Sequence, residues 1–361
     1  MLFPLQGRRP LAVDMYHELS CTENIMRYLR IATSMLKKCP ILLIFDVTRL
    51  CNQRCRMCNI WREKSDDMPL EGIRRKAEQL RNEGLGYVFL QGGEPTLRKD
   101  LIQIVDSFLE FGIKPTVITN GILLRGDLVH KLAERPCNVA VSLDSMNPEI
   151  FKLIRGVDAF STVTENVRQA GKVTSRKGNW AVTSTITAVS TLADIKAVES
   201  FAAECGFMYA IRPYIHVSGT AGRADDALAY TEDVSPILEI FSYMQERAKK
   251  NNYLAYLVYG EHIKYVKRLP QPMCDALTRS IVMSPKGEFS PCIEFADEAA
   301  PLETMYSKKA EWLARCAECN RNTPCFYNDA REIGILWEKK WELARAFPRI
   351  AMQMLRYGNF F

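Results

Sequence analysis

Three closely spaced cysteines are the residues of this sequence with the clearest chemical meaning. Cys51, Cys55 and Cys58 lie in the run CNQRCRMC, separated by three and then by two residues. Thiolates spaced in this way on one loop can bind three irons of a [4Fe–4S] cube, whereas clusters that only transfer electrons usually have a cysteine on every iron. The fourth iron is then left open, so a bound molecule with its own donor atoms, such as an amino acid, can occupy it.

A zinc site and three buried thiols are the alternative interpretations of these cysteines. Zinc sites usually use paired CxxC or mixed Cys and His spacings, and no histidine lies near these cysteines in the sequence. A second motif, QGGEPTL from Gln91 to Leu97, follows at the end of the next predicted strand. Its glycines allow backbone groups to approach a ligand closely. An ordinary strand-to-helix turn is the other interpretation of this motif.

The two motifs, in this order, resemble those of the radical S-adenosylmethionine (SAM) enzymes. In that family CxxxCxxC follows the first strand and a GGEP-type turn follows the second. The resemblance implies that Cys51, Cys55 and Cys58 hold a [4Fe–4S] cluster whose open iron is chelated by the amino and carboxylate groups of SAM. One electron then cleaves SAM to methionine and a 5′-deoxyadenosyl radical, which abstracts hydrogen from a substrate. The cofactors supply this chemistry, and the protein positions them.

The resemblance also implies which other residues bind SAM. The expected residues are Met57, Gly92, Gly93, Glu94, Pro95, Ser142, Asp144 and Arg155. The GGEP residues would form the edge beside the methionine amino group, and Ser142 and Asp144 would meet the ribose hydroxyls or the SAM carboxylate. Arg155 would pair with that carboxylate, unless it is a solvated arginine at a helix end. Met57 stands where many relatives have an aromatic residue and can pack on adenine; Trp61 is the alternative.

The elements that position these residues are predicted to form a mostly parallel α/β sheet. Apolar runs that predict strands alternate with amphipathic segments that predict helices, and the six strands are expected at residues 41–47, 87–90, 115–118, 138–143, 181–188 and 209–216. Such alternation implies right-handed crossovers. The predicted fold resembles the partial (β/α)6 barrel of radical SAM enzymes, in which chemistry collects at the carboxyl ends of the strands. Arg212, Tyr214 and His216 on the sixth strand are expected to line the substrate pocket, core packing being the alternative.

A second group of cysteines lies near the C-terminus. It has the spacing Cx12Gx4C followed by CxxCx5C, formed by Cys274, Cys292, Cys316, Cys319 and Cys325. The pattern resembles the SPASM extension of some radical SAM enzymes, but Asp329 stands where the next cysteine is expected. We therefore predict the shortened twitch version with one auxiliary iron–sulfur cluster of the [4Fe–4S] type. Cys274, Cys292 and two of the last three cysteines would hold it. Asp329 is a weaker candidate ligand, and structural zinc is the alternative.

Five parts are expected along the chain. They are an N-terminal helical extension (1–40), the radical SAM partial barrel (41–223), a helical connection (224–269), a small cysteine-rich SPASM/twitch-like module (270–330) and a C-terminal helix (331–361). No apolar run approaches the roughly 20 residues that span a bilayer, and the N-terminus lacks the layout of a signal peptide. Clustered cysteines without a secretion signal favour metal binding in the reducing cytoplasm.

The leading functional hypothesis is a radical enzyme that acts on a peptide side chain or a small polar metabolite. The auxiliary cluster would aid oxidation or substrate binding, and an external donor such as flavodoxin or ferredoxin would supply electrons. The formal charge of +6 comes without a polybasic tail or an arginine-rich segment with interleaved aromatics. The sequence therefore gives no support for nucleic-acid binding.

Two other hypotheses are carried forward. Basic and apolar segments at residues 24–38 and 334–361 can lie on a membrane surface, which would suit peripheral membrane contact and a lipid or isoprenoid substrate. A non-radical iron–sulfur protein that only transfers electrons is the third hypothesis. It requires a fourth protein ligand at the first site, and no further cysteine lies near Cys58.

Overall fold

One mostly parallel sheet organises the described part of the protein. The computed structural model describes residues 36–215, 227–270, 276–322 and 338–357, and also residues 31, 33, 34, 225, 274, 332, 334 and 335. The strands are β1 (Leu42–Thr48), β2 (Tyr87–Gly92), β3 (Lys114–Thr119), β4 (Asn138–Ser142), β5 (Trp180–Ile186), β6 (Met208–Pro213), β7 (Ser280–Met283) and β8 (Phe289–Ser290). Their order in the sheet is β6-β5-β4-β3-β2-β1-β7-β8. The sheet is open, as in a partial barrel, and the predicted α/β fold class is confirmed.

Helices connect the successive parallel strands, since parallel neighbours require a crossover. They are α1 (Leu70–Asn82), α2 (Leu101–Glu110), α3 (Asp127–Ala133), α4 (Pro148–Arg155), α5 (Phe160–Gly171) and α6 (Leu192–Glu204). Helix α4 was not predicted from the sequence. Asn147 caps its first turn by accepting from the N–H groups of Glu149 and Ile150. Gly156 ends the helix with φ 70°, a conformation that glycine adopts without strain.

β1 lies between two apolar clusters, one on each of its faces. All of its residues are buried, as expected for a parallel strand that is covered on both faces. Leu43, Phe45 and Val47 pack in the main core with residues of the surrounding helices. Leu42 and Ile44 face the other side, where they pack with cysteines of the C-terminal part. The alternation follows from the two-residue repeat of a strand.

The C-terminal part begins with a strand of the same sheet. β7 pairs in parallel with β1, with Ser280 opposite Leu42, and β8 returns antiparallel to β7. This hairpin was not predicted, because four and two residues are too few for a clear pattern. The remaining helices are α7 (Ser235–Asn251), α8 (Tyr253–Val266), α9 (Leu302–Ser307), α10 (Lys309–Asn322) and α11 (Lys340–Tyr357). Of the helices in the described ranges, none is long and apolar enough to cross a bilayer.

Candidate functional site

A cavity of about 200 Å³ lies at the carboxyl ends of the first four strands. The loop after β1, residues 49–59, is called here the cysteine loop. The cavity contains most of the predicted site residues: Cys51, Cys55, Met57, Cys58, Gly92, Gly93, Glu94, Ser142 and Arg155 line it, together with Gln53 and Trp61. Pro95 is buried next to Glu94, at the start of a short 3-10 helix, Pro95–Leu97. Asp144 contacts the site through Arg155.

The end of β2 holds one side of the cysteine loop. The Gly93 N–H donates to the carbonyl of Thr48, and the Glu94 N–H donates to the carbonyl of Leu50, both at 2.8 Å. A Cβ atom on Gly93 would lie 2.1 Å from the oxygen of Leu50, and one on Gly92 would lie 2.4 Å from that of Thr48. Gly92 also has φ 110°. Both positions therefore require glycine, because any side chain would collide with the backbone of the loop. The same two glycines also line the cavity.

The end of α4 holds the other side of the loop. The Arg54 N–H donates to the carbonyl of Arg155 at 3.2 Å, and the Arg56 N–H donates to the carbonyl of Ile154 at 3.0 Å. The last carbonyls of a helix have no partner within the helix, so the loop supplies donors for them. Gly156 is required here as well, because a Cβ atom would lie 2.1 Å from the oxygen of Arg54.

The Glu94 carboxylate joins the ends of β2 and β3. One of its oxygens accepts from the Thr119 hydroxyl at 2.7 Å, and the other accepts from the Asn120 N–H at 2.7 Å. The carboxylate also accepts from the backbone N–H of Thr96. Burial raises the pKa of Glu94, while these hydrogen bonds oppose the shift. The side chain thus fixes the edge on which Gly92 and Gly93 lie.

A buried ion pair positions Arg155 at the cavity wall. Arg155 Nε donates to Asp144 Oδ2 at 2.6 Å, and Asp144 Oδ1 accepts from the Thr185 N–H at 2.9 Å. Burial disfavours the charged guanidinium, but the Asp144 carboxylate and the Cys55 thiol beside it outweigh that penalty and raise the pKa of Arg155. Arg155 is therefore a fixed positive charge next to a cysteine of the loop, and it is not a solvated residue.

The three cysteines of the loop are half-buried. Burial raises the pKa of Cys51 and Cys55, and it raises the pKa of Cys58 to about 12. Thiolates are the forms that bind metal. Metal binding at this loop would therefore displace protons, and the positive charge of Arg155 lowers the penalty at Cys55.

Gln53 is a site residue that sequence reasoning missed. Its side chain is 1 % exposed and lines the cavity. Its Oε1 accepts from Cys55 Sγ at 3.4 Å, and within the described structure its Nε2 has no hydrogen-bond partner. Buried donors normally have an acceptor, so a ligand in the cavity is the natural partner. A polar residue between two cysteines was the only sequence signal.

Four cysteines of the second group gather on the opposite face of β1. Cys274, Cys292 and Cys316 belong to the apolar cluster around Leu42 and Ile44. Burial, together with the neighbouring Cys274 and Cys319, raises the pKa of Cys316 to about 12. Cys325 and Asp329 lie outside the described residues.

The described thiols of this group do not by themselves form a site for one metal ion. Within the described ranges, no three His, Cys, Asp or Glu side chains converge on a single ion. Each cysteine of an iron–sulfur cube binds a different iron, so a cube tolerates wider ligand spacing than one tetrahedral zinc.

Of the pocket residues predicted on the sixth strand, Arg212 lies in β6 and Tyr214 directly follows it, and both have partners within the protein. Arg212 donates to Glu332 Oε1 at 2.5 Å. Tyr214 is buried, and its hydroxyl accepts from the Asp225 N–H at 3.1 Å. His216 lies outside the described residues. These contacts of Arg212 and Tyr214 agree with the alternative interpretation, in which the two side chains pack and form hydrogen bonds at the rim of the barrel.

Comparison with known sequences connects this geometry to one superfamily. The sequence model of the Radical SAM superfamily matches residues 45–202. A protein of Sulfurisphaera tokodaii called Probable GTP 3',8-cyclase is 30% identical over 258 residues, which are 70% of this chain and 80% of that protein. Proteins of the same name from Saccharolobus islandicus and Saccharolobus solfataricus are 40% and 39% identical over 132 residues. That match covers 36% of this chain and spans 42% of those relatives.

Solved structures share the fold at low sequence identity. Streptococcus suis SuiB bound to S-adenosylmethionine gives a TM-score of 0.58 at 18% identity, covering 76% of this chain and 66% of that chain. The structure of anSMEcpe with bound AdoMet gives a TM-score of 0.59 at 20% identity, covering 86% and 98%. At this low sequence identity, the similarity to these structures shows the fold alone.

Proposed function

The chain belongs to the radical SAM superfamily, and from this we propose that it cleaves SAM reductively and uses the radical formed to take hydrogen from a substrate. Members of this superfamily use a [4Fe–4S] cluster and SAM, the cofactors expected from the sequence. One observation carries the proposal. The three cysteines of the loop, the glycine edge and the Arg155 guanidinium line the same cavity.

The residues of the cavity fit a cluster with one open iron. Cys51, Cys55 and Cys58 would bind three irons, and no fourth cysteine of the described chain lines the cavity. Gln53 Nε2, which has no hydrogen-bond partner in the described structure, belongs to the same cavity, and cluster sulfurs would accept from it. When bound, the cluster supplies the electron that breaks the S–C5′ bond of SAM. A cluster that only transfers electrons would require a fourth protein ligand, so the radical hypothesis is favoured.

The side chains around the cavity would bind and orient SAM. Arg155, held by Asp144, offers a fixed cation to the SAM carboxylate. Gly92 and Gly93 bring bare backbone to the wall, where the methionine amino group can approach. Met57 and Trp61 supply apolar surface for the adenine ring. Ser142 is the last residue of β4 and lines the cavity, where its hydroxyl would meet the ribose.

Gln53 gives a first test of the cluster site. We expect Gln53→Leu to make the cluster's reduction potential more negative, since hydrogen bonds to cluster sulfurs help to set that potential. Loss of one hydrogen bond worth about 1 kcal/mol corresponds to a shift of about 40 mV. A redox titration followed by EPR measures it, with Gln79→Leu, on α1 and outside the cavity, as control. An unchanged potential would remove Gln53 from the site.

The second cysteine group gives a further test. We expect a variant with Cys274→Ser and Cys292→Ser to lose about half of its iron while keeping SAM cleavage that is uncoupled from product formation. The reason is that these thiols lie on the opposite face of β1 from the main core, in a cluster that does not include the cysteine loop. Metal analysis and a 5′-deoxyadenosine assay measure the two quantities. Wild-type protein with stoichiometric zinc and only about four irons would contradict an auxiliary cluster.

The substrate is proposed to be polar, either a peptide side chain or a small metabolite. The Sulfurisphaera tokodaii relative, 80% of whose length is matched, is called Probable GTP 3',8-cyclase. Among the proteins of similar fold, SuiB has been solved with its precursor peptide bound. Incubation with deuterated candidates, followed by mass spectrometry of 5′-deoxyadenosine, identifies the substrate through the transferred deuterium. A bond between C3′ and C8 requires loss of the C3′ hydrogen, so GTP deuterated at C3′ tests the cyclase function.

The lipid hypothesis has one structural observation in its favour. Trp341 and Phe347 on α11 are 72% and 66% exposed, and the same helix carries basic residues. Aromatic and basic groups on one helix suit an anionic membrane surface. Sedimentation with anionic liposomes at low salt, where such attraction is strongest, tests this alternative, and no binding under those conditions removes it.

A further inference from the structure

The outer side of the cysteine loop is cationic. From Leu50 to Arg62 the sequence contains three arginines and no acidic residue. One of the three, Arg56, pairs with Asp225 at 2.6 Å, so the free charge comes from the others. Arg54, Arg62 and Lys64 are all exposed. Leu50 adds an apolar group that is 55% exposed. A positive surface with a single apolar residue therefore covers the segment that carries the predicted cluster ligands.

One aromatic ring connects this surface with the cavity. The guanidinium carbons of Arg54 and Arg62 lie 5.0 and 4.2 Å from the centroid of the Trp61 ring. Both distances are within the range of cation–π attraction. Trp61 Nε1 donates to the carbonyl of Cys58 at 2.9 Å, and the ring also lines the cavity. The ring is thus in contact with the surface cations and with a predicted ligand residue.

The acidic residues that follow do not neutralise this surface. Glu63 is one third exposed and lies 3.4 Å from the buried Arg49 guanidinium. Asp66 faces Lys286 at 3.8 Å. Asp67 accepts from the Ser65 hydroxyl. In the described part of the chain none of these three carboxylates forms an ion pair with Arg54, Arg62 or Lys64, so the face keeps a net positive charge.

We propose that the surface formed by Leu50, Arg54, Trp61, Arg62 and Lys64 is the docking site for an acidic protein that carries one electron at a time. The proposal rests on the proposed function, because each reductive cleavage of SAM takes up one electron. The reduced carrier loses one electron and the cluster gains it, with no bond formed or broken and no proton moved in this step. Electron-transfer encounters are small and transient, and complementary charge mainly raises their association rate.

Charge reversal at the edge of this surface tests the proposal. The variant with Arg62→Glu and Lys64→Glu changes two exposed side chains that do not line the cavity. With reduced acidic flavodoxin as the probe, we expect its rate of cluster reduction at low salt to fall by about tenfold or more. The wild-type rate should also fall as salt is added, whereas the variant rate should depend little on salt. A control with Arg75→Glu and Lys131→Glu, on the outer helices α1 and α3, has the same change in net charge and should keep the wild-type rate.

Reduction by dithionite separates docking from the site itself. The Arg62→Glu, Lys64→Glu variant should be reduced by dithionite as fast as the wild type and should then cleave SAM at the same rate. The proposal would be overturned if flavodoxin reduced the variant and the wild type at equal rates. It would also be overturned if the variant were reduced more slowly by the same factor with flavodoxin and with dithionite. Reduction of the cluster is measured by its absorbance in the absence of SAM. The test of docking therefore does not depend on SAM cleavage, and a failure of SAM cleavage would contradict only the proposed function.

Discussion

Replacement of Cys51, Cys55 and Cys58 together by alanine is expected to abolish SAM cleavage and to remove about four irons per chain. The three thiols line one cavity with Arg155 and the glycine edge. They are the only cysteines of the described chain that do so, and no other residue type there can replace three thiolates. Iron analysis and chromatographic assay of 5′-deoxyadenosine after anaerobic reconstitution measure both losses.

Cysteines outside the cavity provide the matched control. Cys137 and Cys205 are buried in the main core, where Cys137 Sγ donates to the carbonyl of Leu132. We expect a variant with Cys137→Ala and Cys205→Ala to keep its iron and its activity, with a modest loss of stability from the smaller side chains. Formation of 5′-deoxyadenosine by the triple variant would show that the loop is not the SAM site.

The Asp144→Ala variant is expected to lose about 3–5 kcal/mol of unfolding free energy. Asp144 and Arg155 are 1% and 8% exposed, and removal of the carboxylate leaves a buried guanidinium without its partner. The Thr185 N–H also loses its acceptor. Because Arg155 anchors α4 beneath the cysteine loop, SAM binding should weaken as well. Urea unfolding of the protein without its cofactors measures the first effect.

A more exposed ion pair of similar geometry is the control for Asp144. Arg135 Nε lies 2.6 Å from Asp106 Oδ1, but the two side chains are 23% and 47% exposed. Solvent screens such a pair, and we expect Asp106→Ala to cost about 1 kcal/mol or less. Similar losses in the two variants would mean that the buried pair makes no special contribution.

The sequence predicted the first six strands because each is a clear apolar run that ends in a polar motif. The residues of β1 are apolar at nearly every position, which is typical of a strand buried on both faces. Strand β7 is as apolar but has only four residues, and its pairing with β1 is a contact between distant parts of the chain. Helix α4 had a readable beginning at Asn147 and Pro148 and a readable end at Gly156. It was missed because its eight residues give a short periodic pattern.

The composition of the cavity was largely predicted, whereas several contacts within it were not. The motifs place the loop cysteines, Gly92 and Gly93 together because the carboxyl ends of parallel strands meet at one edge. The spacing cannot show that the glycine hydrogens face the loop backbone, or that the Glu94 carboxylate binds Thr119 and Asn120. Those contacts depend on the relative heights of neighbouring strand ends, and these are fixed only in the folded structure.

EPR spectroscopy of the reduced protein, with and without SAM, tests the open iron most directly. The sample is the Cys274→Ser, Cys292→Ser variant, so that the cysteine loop alone contributes the signal. We predict a [4Fe–4S]⁺ spectrum whose g values change when SAM is added, because the amino and carboxylate groups of SAM complete the ligand set at the iron without a cysteine. A spectrum that is identical with and without saturating SAM would contradict the account.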